Sequence, residues 1–132
     1  MNHKMPRVLV IDDEPLVRAT ISVALKAEDF EIVTADSGAT GLKYFETSQF
    51  ELVIVDIYMP GMDGAMIIKK LRTRMPYLPI IAISGVLLNA SERTALDFFP
   101  MAPKFSNVIC LRKPFRSTEL FEAVEKALGI PA

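Results

Sequence analysis

Cysteine occurs once in this chain, at Cys110, so no internal disulfide can form, and the spaced cysteines of a structural zinc site are missing. A reducing, cytoplasmic setting is the resulting expectation. An excess of one charge is also lacking: 15 Lys and Arg stand against 16 Asp and Glu, a formal net charge of −1. Without clustered cations there is no broad field to neutralise nucleic-acid phosphates, and direct nucleic-acid binding is not expected. Long apolar runs are absent at the start of the chain, where Asp12 and Asp13 interrupt the stretch from Val8 to Ile11. That stretch is far too short for a signal-peptide core or a membrane span, so neither export nor membrane insertion is expected. Internal repeats, low-complexity tracts and Gly/Ser linkers are missing as well. The 132 residues therefore read as one domain over 1–132, with residues 1–5 a flexible tail containing the lone histidine, His3.

What the chain does have is enough apolar material for a packed core, at 51% hydrophobic and 23% charged residues, which excludes disorder by composition. Short runs rich in Val and Ile recur at Arg7–Ile11, Glu31–Ala35, Glu51–Asp56, Pro79–Ser84 and Asn107–Leu111. Their nearly continuous apolar character predicts strands buried on both faces. Helical spacing lies between them: Val17, Ile21, Ala24 and Leu25 share one face, as do Leu120, Phe121, Val124, Ala127 and Leu128. Leu42 with Phe45, and Ile67 and Ile68 with Leu71, mark two more helices.

Pro15 suits a first helical turn, and Ser37, Asp63 and Ser117 read as N-caps. Gly129 and Pro131 read as a helix stop. The resulting order, β-α repeated about five times, predicts an α/β fold with a parallel sheet and helices on both faces. Residues 98–107 break the pattern and read as a long loop after the fourth helix, while the seven methionines read as core filling. Ser37-Gly38-Ala39-Thr40-Gly41 lacks the Lys-Ser/Thr ending of a phosphate loop and reads as a helix start.

In doubly wound sheets, ligands bind outside the carboxyl ends of the strands. Strand one here ends in Asp12-Asp13, strand three in Asp56 and strand four in Ser84, and strand five is followed by Lys113-Pro114. Three carboxylates at one edge repel one another unless a cation joins them. Mg2+ is the natural choice, because it takes a few carboxylate oxygens and leaves positions for phosphate oxygens. Lys113 can neutralise a further negative charge, and the Ser84 hydroxyl can donate to it. Asp56 is then the expected nucleophile toward a phosphoryl group, with catalysis supplied by alignment and electrostatics.

These residues together resemble the receiver domains of two-component response regulators, chemotaxis-regulator-like in size. The match runs from Val8-Leu9-Val10-Ile11-Asp12-Asp13-Glu14 through Val53-Ile54-Val55-Asp56-Ile57-Tyr58-Met59-Pro60-Gly61-Met62-Asp63-Gly64. It continues at Pro79-Ile80-Ile81-Ala82-Ile83-Ser84 and ends at Leu111-Arg112-Lys113-Pro114-Phe115. The resemblance implies a flavodoxin-like five-stranded sheet of order 2-1-3-4-5. It implies Mg2+ bound by Asp13 and Asp56, by Asp12 through water, and by the backbone carbonyl of Tyr58. Ser84 and Lys113 would hold the phosphoryl oxygens on Asp56. The donor would be a phosphohistidine on a sensor histidine kinase or histidine phosphotransfer protein, and a downstream protein would read the switch. A stand-alone regulator without an output domain is expected, one that catalyses only its own phosphoryl transfer and dephosphorylation. A homodimer through the fourth helix and fifth strand is one mode common in that family.

Two departures stand out. Receivers usually carry Tyr or Phe three residues before the strand-five lysine, where this chain has Cys110. The segment 85–112 is also lengthened, and Phe98, Phe99 or Phe105 are candidates to replace the missing ring. Tyr58 and Val86 flank the site with bulky or apolar side chains, which predicts a long-lived phosphoryl group. A Mg2+-dependent phosphatase would want an acid two residues after its nucleophile, where Tyr58 stands. A degenerate binding module would have no reason to keep all five site residues.

Overall fold

The computed structural model describes residues 5–59, 62–85 and 108–130, with the backbone alone described at Tyr58, Met62 and Asp63. Five strands, β1 (Arg7–Ile11), β2 (Glu31–Ala35), β3 (Leu52–Asp56), β4 (Ile80–Ser84) and β5 (Val108–Arg112), form one sheet. All are parallel, in the order β2-β1-β3-β4-β5. This is the expected doubly wound order: the chain starts near the middle, winds to one edge, then returns to the other. Among the described residues four helices accompany the sheet: α1 (Pro15–Lys26), α2 (Gly38–Thr47), α3 (Gly64–Arg74) and α4 (Ser117–Leu128). A two-residue ribbon, Tyr58–Met59 against Met62–Asp63, lies between β3 and α3.

The central strands are buried on both faces, as their continuous apolar runs require. Alternation of side chains along each strand divides the core into two layers. Leu9, Ile11, Val53, Val55, Ile80 and Ala82 pack with Phe45 of α2 and with Ile67, Ile68 and Leu71 of α3. Val8, Val10, Leu52, Ile54, Ile81 and Ile83 pack with Ile21 and Leu25 of α1 and with Leu120, Ala123 and Val124 of α4.

Local sequence explains most boundaries. Pro15 opens α1, and the Thr40 N–H donates to Ser37 Oγ at 3.1 Å to cap α2. Asp63 immediately precedes α3. Gly129 ends α4 in the left-handed region at φ 70°, which a residue without Cβ adopts without strain. Some expectations need correction. Ser117 is not the cap but the first residue of α4; Arg116 takes the cap position, and its N–H donates to Glu119 Oε1 at 2.8 Å. β3 starts at Leu52 rather than Glu51. β4 starts at Ile80, because Pro79 has no N–H for the ladder, although its carbonyl accepts from Val53 at 3.2 Å. β5 extends to Arg112.

Methionine as core filling holds for Met59, which is buried, but not for Met5, Met66 and Met75, which are exposed. Apolar pattern fixes the buried face of a helix, and Met66 falls on the other face of α3. His3, Val86, Phe98, Phe99, Phe105 and the loop 98–107 lie outside the described residues. No helix among the described residues is long and apolar enough to cross a membrane.

Candidate functional site

The carboxyl edge of the sheet collects the residues expected there. Asp12 follows β1 directly, Asp56 ends β3, Ser84 ends β4 and Lys113 follows β5. Parallel pairing sets these ends level with one another. β1 is registered to β3 through Ile11 and Val55, β3 to β4 through Asp56 and Ile83, and β4 to β5 through Ser84 and Arg112. Backbone bonds continue past the ladders: the Ile57 N–H donates to the Ile83 carbonyl at 2.9 Å, and the Lys113 N–H to the Ser84 carbonyl at 2.7 Å. Asp13 shares the edge and is exposed.

Asp12, Asp56 and Ser84 are the buried polar residues among those described. Burying carboxylates is costly unless charge or hydrogen bonds compensate. Here one ammonium reaches both carboxylates. Lys113 Nζ lies 3.1 Å from Asp56 Oδ2, 3.2 Å from Asp12 Oδ2 and 3.2 Å from Glu14 Oε1. Asp12 Oδ1 also accepts the Glu14 N–H at 2.8 Å. Burial pushes the Asp12 carboxyl above its usual range, and the Glu14 N–H and the Lys113 ammonium only partly offset this. For Lys113, burial alone would lower the pKa; the Asp56 and Asp12 carboxylates outweigh it and hold the ammonium above the ordinary lysine value.

One oxygen from each of Asp12, Asp13 and Asp56 lies within 4.8 Å of the others, a spacing suited to a single hard divalent cation. Two of the three carboxylates are buried. Their donor set is oxygen only, which selects Mg2+ over thiolate- or imidazole-preferring metals. The cluster fits a Mg2+ site. Ser84 Oγ is fully buried and has no hydrogen-bond partner among the described residues, so it presents an unsatisfied donor at the same sheet edge.

Two contributors were missed when the residues were read in isolation. Glu14 supplies the third carboxylate on Lys113, and Arg18 of α1 donates from Nη1 to the Asp12 carbonyl at 2.8 Å, anchoring the loop that carries the acids. A usable signal existed for Glu14: a long acid occupies the N-cap position, where short Ser, Thr, Asp or Asn are preferred. Cys110, at the position where an aromatic ring was expected, is exposed on β5. Val86 lies outside the described residues, and of Tyr58 only the backbone is described, so the gating they were expected to provide rests on sequence alone.

Comparison with known proteins agrees with this geometry. Residues 8–125 match the family model of the response regulator receiver domain. The transcriptional regulatory protein GlrR of Escherichia coli is 30% identical over 130 residues, covering 97% of this chain and 27% of that protein. The chain thus spans about a quarter of the length of that relative. The chemotaxis protein CheY of Listeria monocytogenes is 30% identical over 129 residues, covering 93% of this chain and 98% of CheY. Among solved structures, a response regulator receiver domain protein from Clostridium thermocellum superposes with a TM-score of 0.77 at 26% identity, covering 95% of each chain. Sequence, fold and the acidic sheet edge converge, and the chain belongs to the response regulator receiver domain family of two-component signalling.

Proposed function

We propose that this domain accepts a phosphoryl group onto Asp56 from a phosphohistidine donor, a sensor histidine kinase or a histidine phosphotransfer protein, and that the modified domain switches its contacts with a downstream protein. The observation that carries this reading is the placement of Asp56: buried, 3.1 Å from Lys113 Nζ, and grouped with Asp12 and Asp13. An Asp56 oxygen forms the new bond to phosphorus as the donor's phosphorus–nitrogen bond breaks, and the histidine nitrogen leaves with the electron pair. Asp12, Asp13, Asp56 and the Tyr58 carbonyl would hold Mg2+, which when bound supplies positive charge for the phosphoryl oxygens. Lys113 adds a second positive charge at the pocket rim, and the buried Ser84 hydroxyl, without a partner among the described residues, offers a hydrogen bond to the transferred group.

Beside the acceptor, Leu16, Val17, Thr20, Pro114 and Phe115 line an open pocket with Glu14 and Lys113. Leu16 is 77% exposed, which gives a donor protein an apolar landing in the pocket that Lys113, the ammonium on Asp56, also lines. On this reading the domain works in the cytoplasm, and its catalysis is limited to its own phosphorylation and dephosphorylation. Incubation with Mg2+ and acetyl phosphate, followed by intact mass, tests the reading. A one-phosphoryl mass gain that needs Mg2+ and disappears in Asp56→Asn supports it. Phosphorylation that persists in Asp56→Asn refutes it.

A further inference from the structure

Glu14 occupies the N-cap position of α1, yet its side chain makes no capping hydrogen bond. The local work of the turn is done by others: Asp12 Oδ1 accepts the Glu14 N–H, and the Glu14 carbonyl accepts the Arg18 N–H at 3.1 Å. The Glu14 carboxylate instead faces Lys113, 99 residues away, with Oε1 at 3.2 Å from Nζ. Among the described residues it is the one partner of that ammonium outside the group of acids that can share a metal ion, which comprises Asp12, Asp13 and Asp56.

A divalent cation and the Lys113 ammonium draw on the same two buried carboxylates, Asp12 and Asp56, because like charges cannot both sit against them at low cost. When the acids turn to a cation, Lys113 needs another anchor or it swings into solvent. From this we infer that Glu14 is a positioning residue: it takes over Lys113 as Mg2+ enters, easing metal binding and keeping the ammonium at the pocket rim, where a phosphoryl oxygen would meet it. The inference rests on the reading of this edge as a Mg2+ and phosphoryl site. Because Glu14 is half exposed, its effect is that of a screened ion pair rather than a buried one.

Mg2+ titration by calorimetry of the wild type, Glu14→Gln, Lys113→Met and the double variant tests it. Glu14→Gln weakens Mg2+ binding about two- to fivefold when Lys113 is present and leaves it unchanged in the Lys113→Met background. Equal weakening in both backgrounds means that Glu14 acts through general charge alone, and overturns the inference while leaving the metal site intact. No Mg2+ binding by the wild type overturns both. A second readout needs no Lys113 variant: in Mg2+-saturated protein, the NMR signal of the Lys113 ε-methylene keeps restricted motion in the wild type and in Glu14→Asp, and becomes as mobile as a surface lysine in Glu14→Gln. Unchanged mobility in Glu14→Gln refutes the inference independently.

Discussion

Lys113 Nζ stands 3.1 Å from Asp56 Oδ2 across 57 residues of sequence, and the same nitrogen reaches Asp12 at 3.2 Å. One ammonium thus offsets two carboxylates that the sheet has buried. Removing that ammonium would leave both buried carboxylates without their cation.

Lys113→Met removes the cation from both buried acids. Loss of one partner of a buried ion pair costs about 3 kcal/mol or more, against the roughly 5–15 kcal/mol of a typical domain. Urea denaturation without Mg2+ should show that loss, and saturating Mg2+ should restore much of it by binding the folded form alone. A Lys113→Met protein as stable as the wild type without metal contradicts this account.

Asp13 is exposed, whereas Asp12 and Asp56 are buried. Asp13→Asn should therefore alter metal-free stability by no more than about 0.5 kcal/mol. Its Mg2+ affinity should still fall about tenfold or more, because one oxygen of the three-carboxylate group has lost its charge. Parallel calorimetric and denaturation titrations separate the two effects; a stability loss without an affinity loss would assign Asp13 a structural role instead.

Two buried glycines predict different costs. A Cβ on Gly64 would collide with the backbone and side chain of Ile57, the residue after Asp56, whereas the nearest atoms to one on Gly41 belong to the side chain of Ile11. Backbone cannot rotate away, so Gly64→Ala should destabilise by about 2–3 kcal/mol and Gly41→Ala by less. Because Ile57 adjoins the acceptor, Gly64→Ala should also slow phosphorylation by acetyl phosphate. The reverse ranking in thermal or urea unfolding would be a failure of the packing argument.

Ser37→Ala deletes the acceptor for the Thr40 N–H at the start of α2. Cap loss of this kind costs about 1 kcal/mol. The site lies on other elements, so Mg2+ affinity should be unchanged. A large drop in affinity would show that α2 is coupled to the acidic edge.

Much of the molecule was legible before any coordinates. The alternation of Val/Ile runs with helical periods follows from backbone geometry, since a parallel sheet covered on both faces demands it. Once β1, β3, β4 and β5 run parallel, their ends must lie at one edge, so Asp12, Asp56, Ser84 and Lys113 are neighbours by topology. Helix faces were equally plain: Ile21 with Leu25, and Leu120 with Val124, are buried as their spacing requires. Boundaries were less so, because the start of α4 depends on whether Ser117 or Arg116 is capped, a choice made by the reach of Glu119.

Composition and period are local properties, and local properties set which residues become strands, which face is apolar and which side chains stand at a strand end. They do not say where a flexible side chain comes to rest. Tertiary structure alone brought the Lys113 ammonium between three carboxylates, turned Glu14 away from its helix toward that ammonium, and left Ser84 Oγ buried without a partner among the described residues. Those outcomes depend on charges and rotamers from segments as far as 99 residues apart, settled only when burial makes each unpaired group costly.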